Sequence, residues 1–369
     1  MNNKKRKKIL YFMHLDWKWI KQRPQYIAEE LSKYYDVYVF YQYARKRELL
    51  TQNKTKGLKL IPWIGIPKRY DVPILWHLTK LYIRAFVKLF MLFTKPDFVW
   101  VGAPYLMDYI PKSTKFPIIH DSMDNFQWFY GPGTFMNGYI STPEKRALKE
   151  SKIIFTSAHA LAEVINNKYP CKEKTVLIRN AFGGNIIETA PDPVYTPQKD
   201  KLKIGFVGAL GHSMDFKLMH KWLDEFPNLE INLIGPIDKY HSQWFRDRLN
   251  FLGAIDHNKL YDKVKDFHAL MLPFRIDDSV LSRDCIKLYE YINFNKPIIA
   301  VRYPEIERFE DWVDFYNKNE EAVEIMRRYV ENGPKRKYTA EQRIQFLNDN
   351  SWEARVKVIV KHLNDLTSE

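Results

Sequence analysis

The sequence predicts an α/β protein of two doubly wound, Rossmann-like domains that face each other across a cleft. Short apolar segments alternate with helical patterns along the chain, which is typical of parallel sheets covered by helices on both faces. The alternation restarts after a proline-rich segment at residues 186–200. The length of 369 residues also fits about two domains of ordinary size.

The first domain is predicted over residues 1–185. Its strands are short apolar runs, as expected for strands buried on both faces of a parallel sheet. We expect them at 9–13, 37–40, 98–101, 117–119 and 153–156. A long helix is predicted at 74–94, and Ser157 is expected to cap the helix that follows the last of these strands.

Residues 186–200 are predicted to form a linker, because they contain three prolines among polar residues. The second domain follows at 201–337. Its expected strands lie at 203–208, 231–235, 269–273 and 297–301, and its expected helices at 216–225, 258–266 and 283–294. The short run Phe251-Leu252-Gly253 precedes the second of these helices. Residues 338–369 are predicted to form terminal helices, for which packing back onto the first domain is one option.

Positive charge is concentrated in the first 100 residues. They contain 21 lysines and arginines but only 7 aspartates and glutamates, which accounts for the whole formal net charge of +14. Such a field attracts anionic partners, namely lipid headgroups, nucleic acid or phosphorylated substrates. A basic but otherwise ordinary soluble surface is the alternative.

The helix at 74–94 carries Lys80, Arg84 and Lys88 at every fourth position among apolar residues. A basic amphipathic helix can lie at a membrane surface, so these three are the predicted membrane-facing residues. A domain helix with a solvated stripe is the alternative. We expect the protein to bind anionic vesicles at low salt and to be released at high salt.

The two cysteines, Cys171 and Cys285, form no metal-ligand pattern, which favours a reducing compartment over a disulfide or zinc framework. The basic run at 4–8 precedes only a short apolar stretch, so no cleaved signal is predicted. No window reaches the ~20 apolar residues that span a bilayer. We therefore expect a cytoplasmic protein, peripheral at the inner face of the cell membrane.

Three glycines, Gly205, Gly208 and Gly211, surround the end of the strand predicted at 203–208. Small residues there let backbone N–H groups and a helix N-terminus approach a phosphate. The spacing is not Gly-x-Gly-x-x-Gly, which disfavours a dinucleotide-dependent dehydrogenase. A plain glycine turn is the alternative.

Arg283, Lys287 and Glu290 fall on one face of the helix predicted at 283–294. Two cations on that face could hold a diphosphate, and the carboxylate could accept hydrogen bonds from ribose hydroxyls. An ordinary solvated face with an ion pair is the alternative.

Short motifs follow one another in order over most of the chain. They are Trp19 with Arg23-Pro24-Gln25, Asp121-Ser122-Met123-Asp124, Thr156-Ser157 with Leu161, Arg179-Asn180-Ala181, Gly205-Phe206-Val207-Gly208 with Asp215, Leu233-Ile234-Gly235-Pro236, Leu252-Gly253, Leu272-Pro273-Phe274, Lys287-Leu288-Tyr289-Glu290-Tyr291 and Lys296-Pro297-Ile298-Ile299. No single motif is specific, but their order resembles that of bacterial GT-B glycosyltransferases of the family-4 type, particularly those of teichuronic acid and exopolysaccharide assembly.

This resemblance implies a hexosyltransferase-type enzyme that moves a sugar from a nucleotide-diphosphate donor to a cell-surface polysaccharide or lipid-linked acceptor. Glu290 would bind the donor ribose, and Lys287 with Gly208 would hold the diphosphate. The sequence contains no Asp-x-Asp motif. We therefore expect metal independence and no cofactor besides the nucleotide sugar as co-substrate.

The chain departs from the family pattern at two positions. Ser282 stands eight residues before Glu290, where the family has a second glutamate, and Ala209 stands where a basic residue usually follows the glycine loop. Arg283 is our candidate to compensate as a donor-binding residue. Whether transfer retains or inverts the anomeric configuration stays open.

The catalytic candidates, Asp121 and Asp124, lie where a first-domain strand ends. Sugar transfer needs a base or an electrostatic partner near the acceptor hydroxyl. We expect one aspartate to be functional and the other to be structural, as a cap of the next turn. Three further residues are the acceptor-side candidates: His14 and Asp16, at the end of the first strand, and Arg23.

Two other functions remain open. A sugar-nucleotide 2-epimerase shares the fold but needs no acceptor. A basic nucleic-acid-binding protein would account for the charge, but the sequence shows no RNA- or DNA-recognition signature.

Overall fold

The computed structural model describes residues 6–18, 21–43, 57–112, 114–130, 133–191, 194–236, 243–256 and 259–367. Trp19 and Pro193, as well as residues 4 and 5 of the basic run, lie outside them. The chain divides into two compact units. Unit 1 comprises residues 1–180 and 352–369, and unit 2 comprises residues 181–351.

Unit 1 contains a parallel sheet of seven strands. They are β1 (Lys8–Met13), β2 (Asp36–Gln42), β3 (Leu58–Trp63), β4 (Phe98–Val101), β5 (Ile118–Ser122), β6 (Ser151–Thr156) and β7 (Thr175–Leu177), in the order β3-β2-β1-β4-β5-β6-β7. Central strands such as β4 are buried along their whole length, which explains their continuous apolar sequence.

Helices connect these strands. They are α1 (Arg23–Leu31), α2 (Pro73–Thr94), α3 (Phe135–Tyr139), α4 (Ser141–Glu150) and α5 (His159–Lys168), with short 3-10 helices at Pro104–Tyr109, Phe126–Phe129 and Lys172–Lys174. The expected Ser157 cap is wrong. Helix α5 begins at His159 after Ala158, and the Ser157 hydroxyl donates to the carbonyl oxygen of Met123 at 2.7 Å instead.

Unit 2 contains a parallel sheet of six strands. They are β8 (Leu202–Val207), β9 (Leu229–Ile234), β10 (Leu249–Gly253), β11 (Ala269–Leu272), β12 (Ile298–Val301) and β13 (Asp314–Tyr316), in the order β10-β9-β8-β11-β12-β13. The helices are α6 (Phe216–Glu225), α7 (Leu260–Val264), α8 (Asp278–Leu281), α9 (Ile286–Asn293), α10 (Asn319–Asn332) and α11 (Ala340–Asp349), with a 3-10 helix at Pro304–Phe309.

The chain returns to unit 1 in its last helix, α12 (Trp352–Asp365). The side chains of Trp352, Val356, Ile359 and Leu363 are buried. The indole of Trp352 stacks on the ring of Tyr26 in α1, with centroids 5.5 Å apart. Helix α11 belongs instead to unit 2. Two parallel sheets flanked by helices confirm the predicted α/β fold class.

Candidate functional site

Strand order reverses once in each sheet, between β1 and β4 in unit 1 and between β8 and β11 in unit 2. In open parallel sheets, ligands bind beyond the carboxyl ends of the strands at such reversals. His14 and Gly102 follow β1 and β4, and Gly208 and Pro273 follow β8 and β11. The carboxyl ends of these strands are therefore the candidate ligand sites, one in each unit.

In unit 2, the side chain of Lys287 lies directly against Gly208. A Cβ atom on Gly208 would be 2.1 Å from Cε and 2.9 Å from Nζ of Lys287. Gly208 has a φ of +145°, which side chains rarely tolerate. The lysine ammonium therefore lies beside the partly exposed backbone at the end of β8, where a positive charge suits an anionic ligand.

The ends of β8 and β9 are also packed without intervening side chains. Gly235 has a φ of +151°, and a Cβ atom there would be 1.8 Å from the carbonyl oxygen of Gly208. The Gly208 N–H donates to the carbonyl oxygen of Ile234 at 2.8 Å. Glycine is thus required at Gly235 for the two backbones to approach this closely.

Tyr291 fixes α9 to the end of β8. Its hydroxyl accepts a hydrogen bond from the backbone N–H of Val207 at 2.8 Å, and its side chain is fully buried. Lys287 lies one helical turn earlier on α9. Tyr291 therefore fixes the position of Lys287 relative to Gly208. No sequence pattern indicated this role.

Glu290 lies on helix α9, whereas Arg283 lies in the segment before this helix. Glu290 is partly exposed on α9, three residues after Lys287 and on the same side of the helix. Arg283 lies before α9, because the helix predicted at 283–294 begins only at Ile286. Arg283 is exposed, and its carbonyl oxygen accepts from the Tyr303 hydroxyl at 3.3 Å. The prediction that Arg283 shares the helical face is wrong, and its donor-binding role stays a prediction.

The segment between α8 and α9 is held by an ion pair in which the carboxylate is buried and the arginine reaches the surface. The Asp284 carboxylate, which has no exposed side-chain surface, contacts Nη2 of Arg308 at 2.5 Å. The same guanidinium nitrogen donates to the Tyr289 hydroxyl at 2.9 Å. These contacts keep the preceding residues out of the helix. Arg308 is 24 residues away in sequence, and no local pattern indicated the pair.

The glycine loop after β8 is joined to the loop after β11. Asp215 N–H donates to the carbonyl oxygen of Pro273, and Arg275 N–H donates to that of Ser213, each at 2.7 Å. Asp215 also caps α6 by accepting from Leu218 N–H at 2.9 Å. Asp215 is therefore a structural residue of this loop.

An exposed histidine and an aspartate lie together in these two loops. Nε2 of His212 is 3.7 Å from Oδ2 of Asp277. Burial raises the pKa of Asp277, but hydrogen bonds from Ser279 and Val280, together with His212, bring the pKa below its ordinary value. Ser282, at the position of the missing glutamate, donates its hydroxyl to the carbonyl oxygen of Asp278 at 2.7 Å.

In unit 1, Arg23 and Asp121 form a buried ion pair. The Nη2–Oδ1 distance is 2.7 Å, and Nε lies 3.1 Å from both carboxylate oxygens. Arg23 also donates to the carbonyl oxygen of Ile178 at 2.6 Å. The Asp121 side chain has no exposed surface. The pair joins α1, β5 and the end of β7, so we infer a structural role for both residues.

His14 directly follows β1, and its ring makes an edge-to-face contact with the ring of Phe126 at a centroid distance of 5.2 Å. Its Nδ1 is buried, and no described residue hydrogen-bonds to it. Burial lowers the pKa of His14 from 6.5 to about 4. The ring is consequently neutral near pH 7 and can accept or donate a hydrogen bond, but it does not supply charge.

Asp16 and Asp124 complete this edge. Asp16 is buried and accepts from Lys18 N–H at 3.0 Å. Asp124 is partly exposed and follows β5 directly after Met123. Met123 lies near Gly102, where a Cβ atom would be 3.5 Å from Cε of Met123. Of the two catalytic candidates, Asp124 is the one with solvent access.

The predicted membrane-facing residues do not form a solvated stripe. Lys80 donates to the Tyr139 hydroxyl at 2.9 Å, and Nε of Arg84 donates to the carbonyl oxygen of Asp108 at 2.7 Å. Lys88 is exposed. Two of the three basic residues are thus engaged within unit 1.

Among the described residues, no group of three or more histidines, cysteines, aspartates or glutamates could hold a metal ion. In the same part of the chain, no helix is long and apolar enough to cross a membrane.

The sequence matches no protein-family model and no curated protein. Solved structures do match over nearly the full length. A sucrose-phosphate synthase from Thermosynechococcus elongatus has a TM-score of 0.74 and 13% identity, with 98% of this chain and 100% of that chain covered. HepE of Anabaena in complex with UDP and glucose has a TM-score of 0.65 and 13% identity, with 97% and 99% covered. The apo lipopolysaccharide outer core galactosyltransferase WaaB has a TM-score of 0.63 and 13% identity, with 96% and 99% covered. These likenesses confirm the GT-B fold expected from the sequence.

Proposed function

We propose that the protein is a hexosyltransferase-type glycosyltransferase that uses a nucleoside-diphosphate sugar. The observation that carries this proposal is the contact of Lys287 with Gly208 at the strand reversal of unit 2. It places a lysine ammonium beside the glycine turn at the end of β8, where the charge can stabilise a bound diphosphate. Structures of this fold described with UDP and glucose, and with UDP-2-fluoro glucose, support a donor of this class.

In the proposed reaction, the bond between the anomeric carbon and the diphosphate oxygen breaks, and the acceptor hydroxyl oxygen bonds to that carbon. Lys287 would stabilise the negative charge that develops on the leaving diphosphate. Glu290, one turn later on α9, would accept hydrogen bonds from the ribose hydroxyls.

The acceptor hydroxyl must lose its proton during transfer. Asp124 is our candidate base, because it is partly exposed at the end of β5, whereas Asp121 is committed to Arg23. His14, neutral because burial lowers its pKa to about 4, would orient an acceptor hydroxyl by hydrogen bonding. We propose a cell-surface polysaccharide or a lipid-linked glycan as acceptor, and a peripheral position at the membrane.

A donor screen tests the proposal. UDP-, GDP- and dTDP-sugars are added separately, and unfolding temperatures are measured with and without a chelator. The correct donor at about a hundred times its Kd should stabilise the protein by about 2.7 kcal/mol. The Lys287→Met variant should lose this shift, and Lys335→Met, which removes another exposed charge from unit 2, should keep it. No shift with any nucleotide sugar would overturn the proposal.

A further inference from the structure

Helix α2 presents a large apolar face to solvent. Leu81, Leu92 and Phe93 expose 68%, 63% and 79% of their surface. The exposed large hydrophobic residues of this helix, here called the α2 outer face, are Ile74, Leu78, Leu81, Tyr82, Phe86, Leu89, Leu92 and Phe93. Monomeric soluble proteins rarely expose apolar side chains in one contiguous patch of this kind.

The opposite side of α2 packs into the hydrophobic core of unit 1. Trp76, Ile83, Val87 and Met91 are buried at helical spacing and pack into the core of unit 1. The α2 outer face takes less part in this packing. Leu81, Leu92 and Phe93 are largely exposed, whereas the ring of Phe86 also contacts the buried ring of Phe40, with centroids 6.0 Å apart.

Basic residues border the α2 outer face along one edge. His77 and Lys88 are exposed there, and Lys80 and Arg84 lie along the same edge of the helix, between the outer face and the core. The first 100 residues also contain all of the chain's excess positive charge. The face is thus apolar in its centre and cationic at its margin.

This pattern distinguishes a lipid surface from a second copy of the chain. Helices that pair as coiled coils use a narrow row of two apolar positions in every seven. The α2 outer face is wider than such a row, because Tyr82, Phe86 and Phe93 lie to one side of Leu81. A second copy would also bring two cationic margins together. An anionic membrane instead supplies both apolar chains and opposite charge.

We propose that α2 lies in the plane of an anionic membrane with the α2 outer face inserted among the lipid chains. This inference rests on the proposed membrane association and is independent of the proposed sugar transfer. It predicts a different salt dependence from the electrostatic attachment expected from the basic stripe, and the vesicle experiment below distinguishes the two. Apolar insertion is little affected by ionic strength, so binding should persist at high salt.

Vesicle sedimentation tests the proposal. Wild type, Leu81→Gln/Leu92→Gln, Lys88→Gln and a control Val358→Gln are mixed with vesicles of anionic or purely zwitterionic lipid. Val358 is an exposed valine of α12. Salt is raised from about 0.1 M to about 1 M, which shortens the Debye length from about 10 Å to about 3 Å. Circular dichroism establishes that each variant is folded.

We expect wild type and Val358→Gln to stay bound at about 1 M salt. The double leucine variant should bind about a hundredfold more weakly at either salt concentration, about tenfold for each leucine. Lys88→Gln should weaken binding only at low salt. A dye on Leu81→Cys should report an apolar environment on vesicles, since the native cysteines are buried.

Complete release of wild type at high salt, with the double variant indistinguishable from it, would overturn insertion while leaving electrostatic membrane association intact. No vesicle binding under any condition would overturn both. A lipid-free dimer that the double variant abolishes would assign the face to a second copy instead. The donor screen is read separately, so none of these outcomes bears on sugar transfer.

Discussion

Gly208 and Lys287 are in such close contact that one added methyl group would overlap with the lysine. The methyl carbon of Gly208→Ala would lie 2.1 Å from Cε of Lys287, at a φ of +145°. We expect Gly208→Ala to lose about 1–3 kcal/mol of unfolding free energy and most of its donor affinity, because Lys287 must move. Urea unfolding and donor titration measure the two effects.

Gly211→Ala is the matched control. It lies in the same loop, and a Cβ atom there has no other heavy atom within 4 Å. Equal effects of the two substitutions would show that general loop stiffening, not the contact with Lys287, is responsible.

The hydroxyl of Tyr291 should matter for donor binding although it is buried away from any ligand. Tyr291→Phe leaves the Val207 N–H without its partner, which should cost about 1–3 kcal/mol of stability. We also expect a higher KM for the donor and a nearly unchanged kcat, because α9 and Lys287 are no longer held in position relative to Gly208. Tyr291 would thus be a positioning residue.

Tyr329→Phe provides the comparison for Tyr291→Phe. It removes another buried hydroxyl of unit 2, which bonds to Asp314 at 2.7 Å. It should lower stability without changing the donor KM. A normal donor KM in Tyr291→Phe would refute the positioning role.

Asp121, near the end of β5, and Asp124, just after it, should respond differently to replacement by asparagine. Asp121→Asn leaves the buried Arg23 without its counter-charge, and we expect a loss of about 3–5 kcal/mol in unfolding free energy. Asp124→Asn should remain folded but lose about a hundredfold to ten-thousandfold in turnover, as expected for a general base. Thermal unfolding and initial rates distinguish the two. Wild-type turnover in Asp124→Asn would contradict the assignment.

His14 should make stability depend on pH. Burial lowers its folded-state pKa from 6.5 to about 4, so only the unfolded chain takes up this proton as pH falls through 6.5. The contribution of His14 is therefore complete above pH 6.5 and is lost as pH falls towards 4. The full effect is about 3 kcal/mol.

Urea unfolding of wild type and His14→Gln near pH 7 and pH 4.5 measures this effect. The stability difference between the two pH values should be smaller in the variant. His120 and His268, whose pKa values burial also lowers, titrate in both proteins and cancel. An equal pH dependence in both proteins would show that His14 is not the responsible group.

The sequence predicted the central strands far better than the edges of the sheets. Strands β1, β4, β8 and β11 appear as continuous apolar runs because neighbouring strands and helices enclose them. The strands that were not predicted, β3, β7, β10 and β13, all lie at sheet edges. They are short or half-exposed, so their apolar pattern is weak.

The candidate site was predictable where it depends on local sequence. Gly208, Lys287 and Glu290 stand in short motifs, and the motifs could be read directly. Contacts between residues that are far apart in the sequence could not be predicted from it. Arg23 and Asp121 are 98 residues apart, and both were assigned to chemistry, although the structure joins them in an ion pair. Val207 and Tyr291 are 84 residues apart.

Helix α12 affects how the protein can be made. Unit 2 is one continuous segment, and all of its residues are synthesised before α12. Unit 1 is completed only by α12, because residues 1–180 emerge early but lack Trp352 and the buried side chains that follow it until α12 is made. During synthesis, the unit whose residues emerge first therefore completes its fold last. Until α12 is released, Tyr26 and the side of α1 that α12 covers form a surface that chaperones can bind.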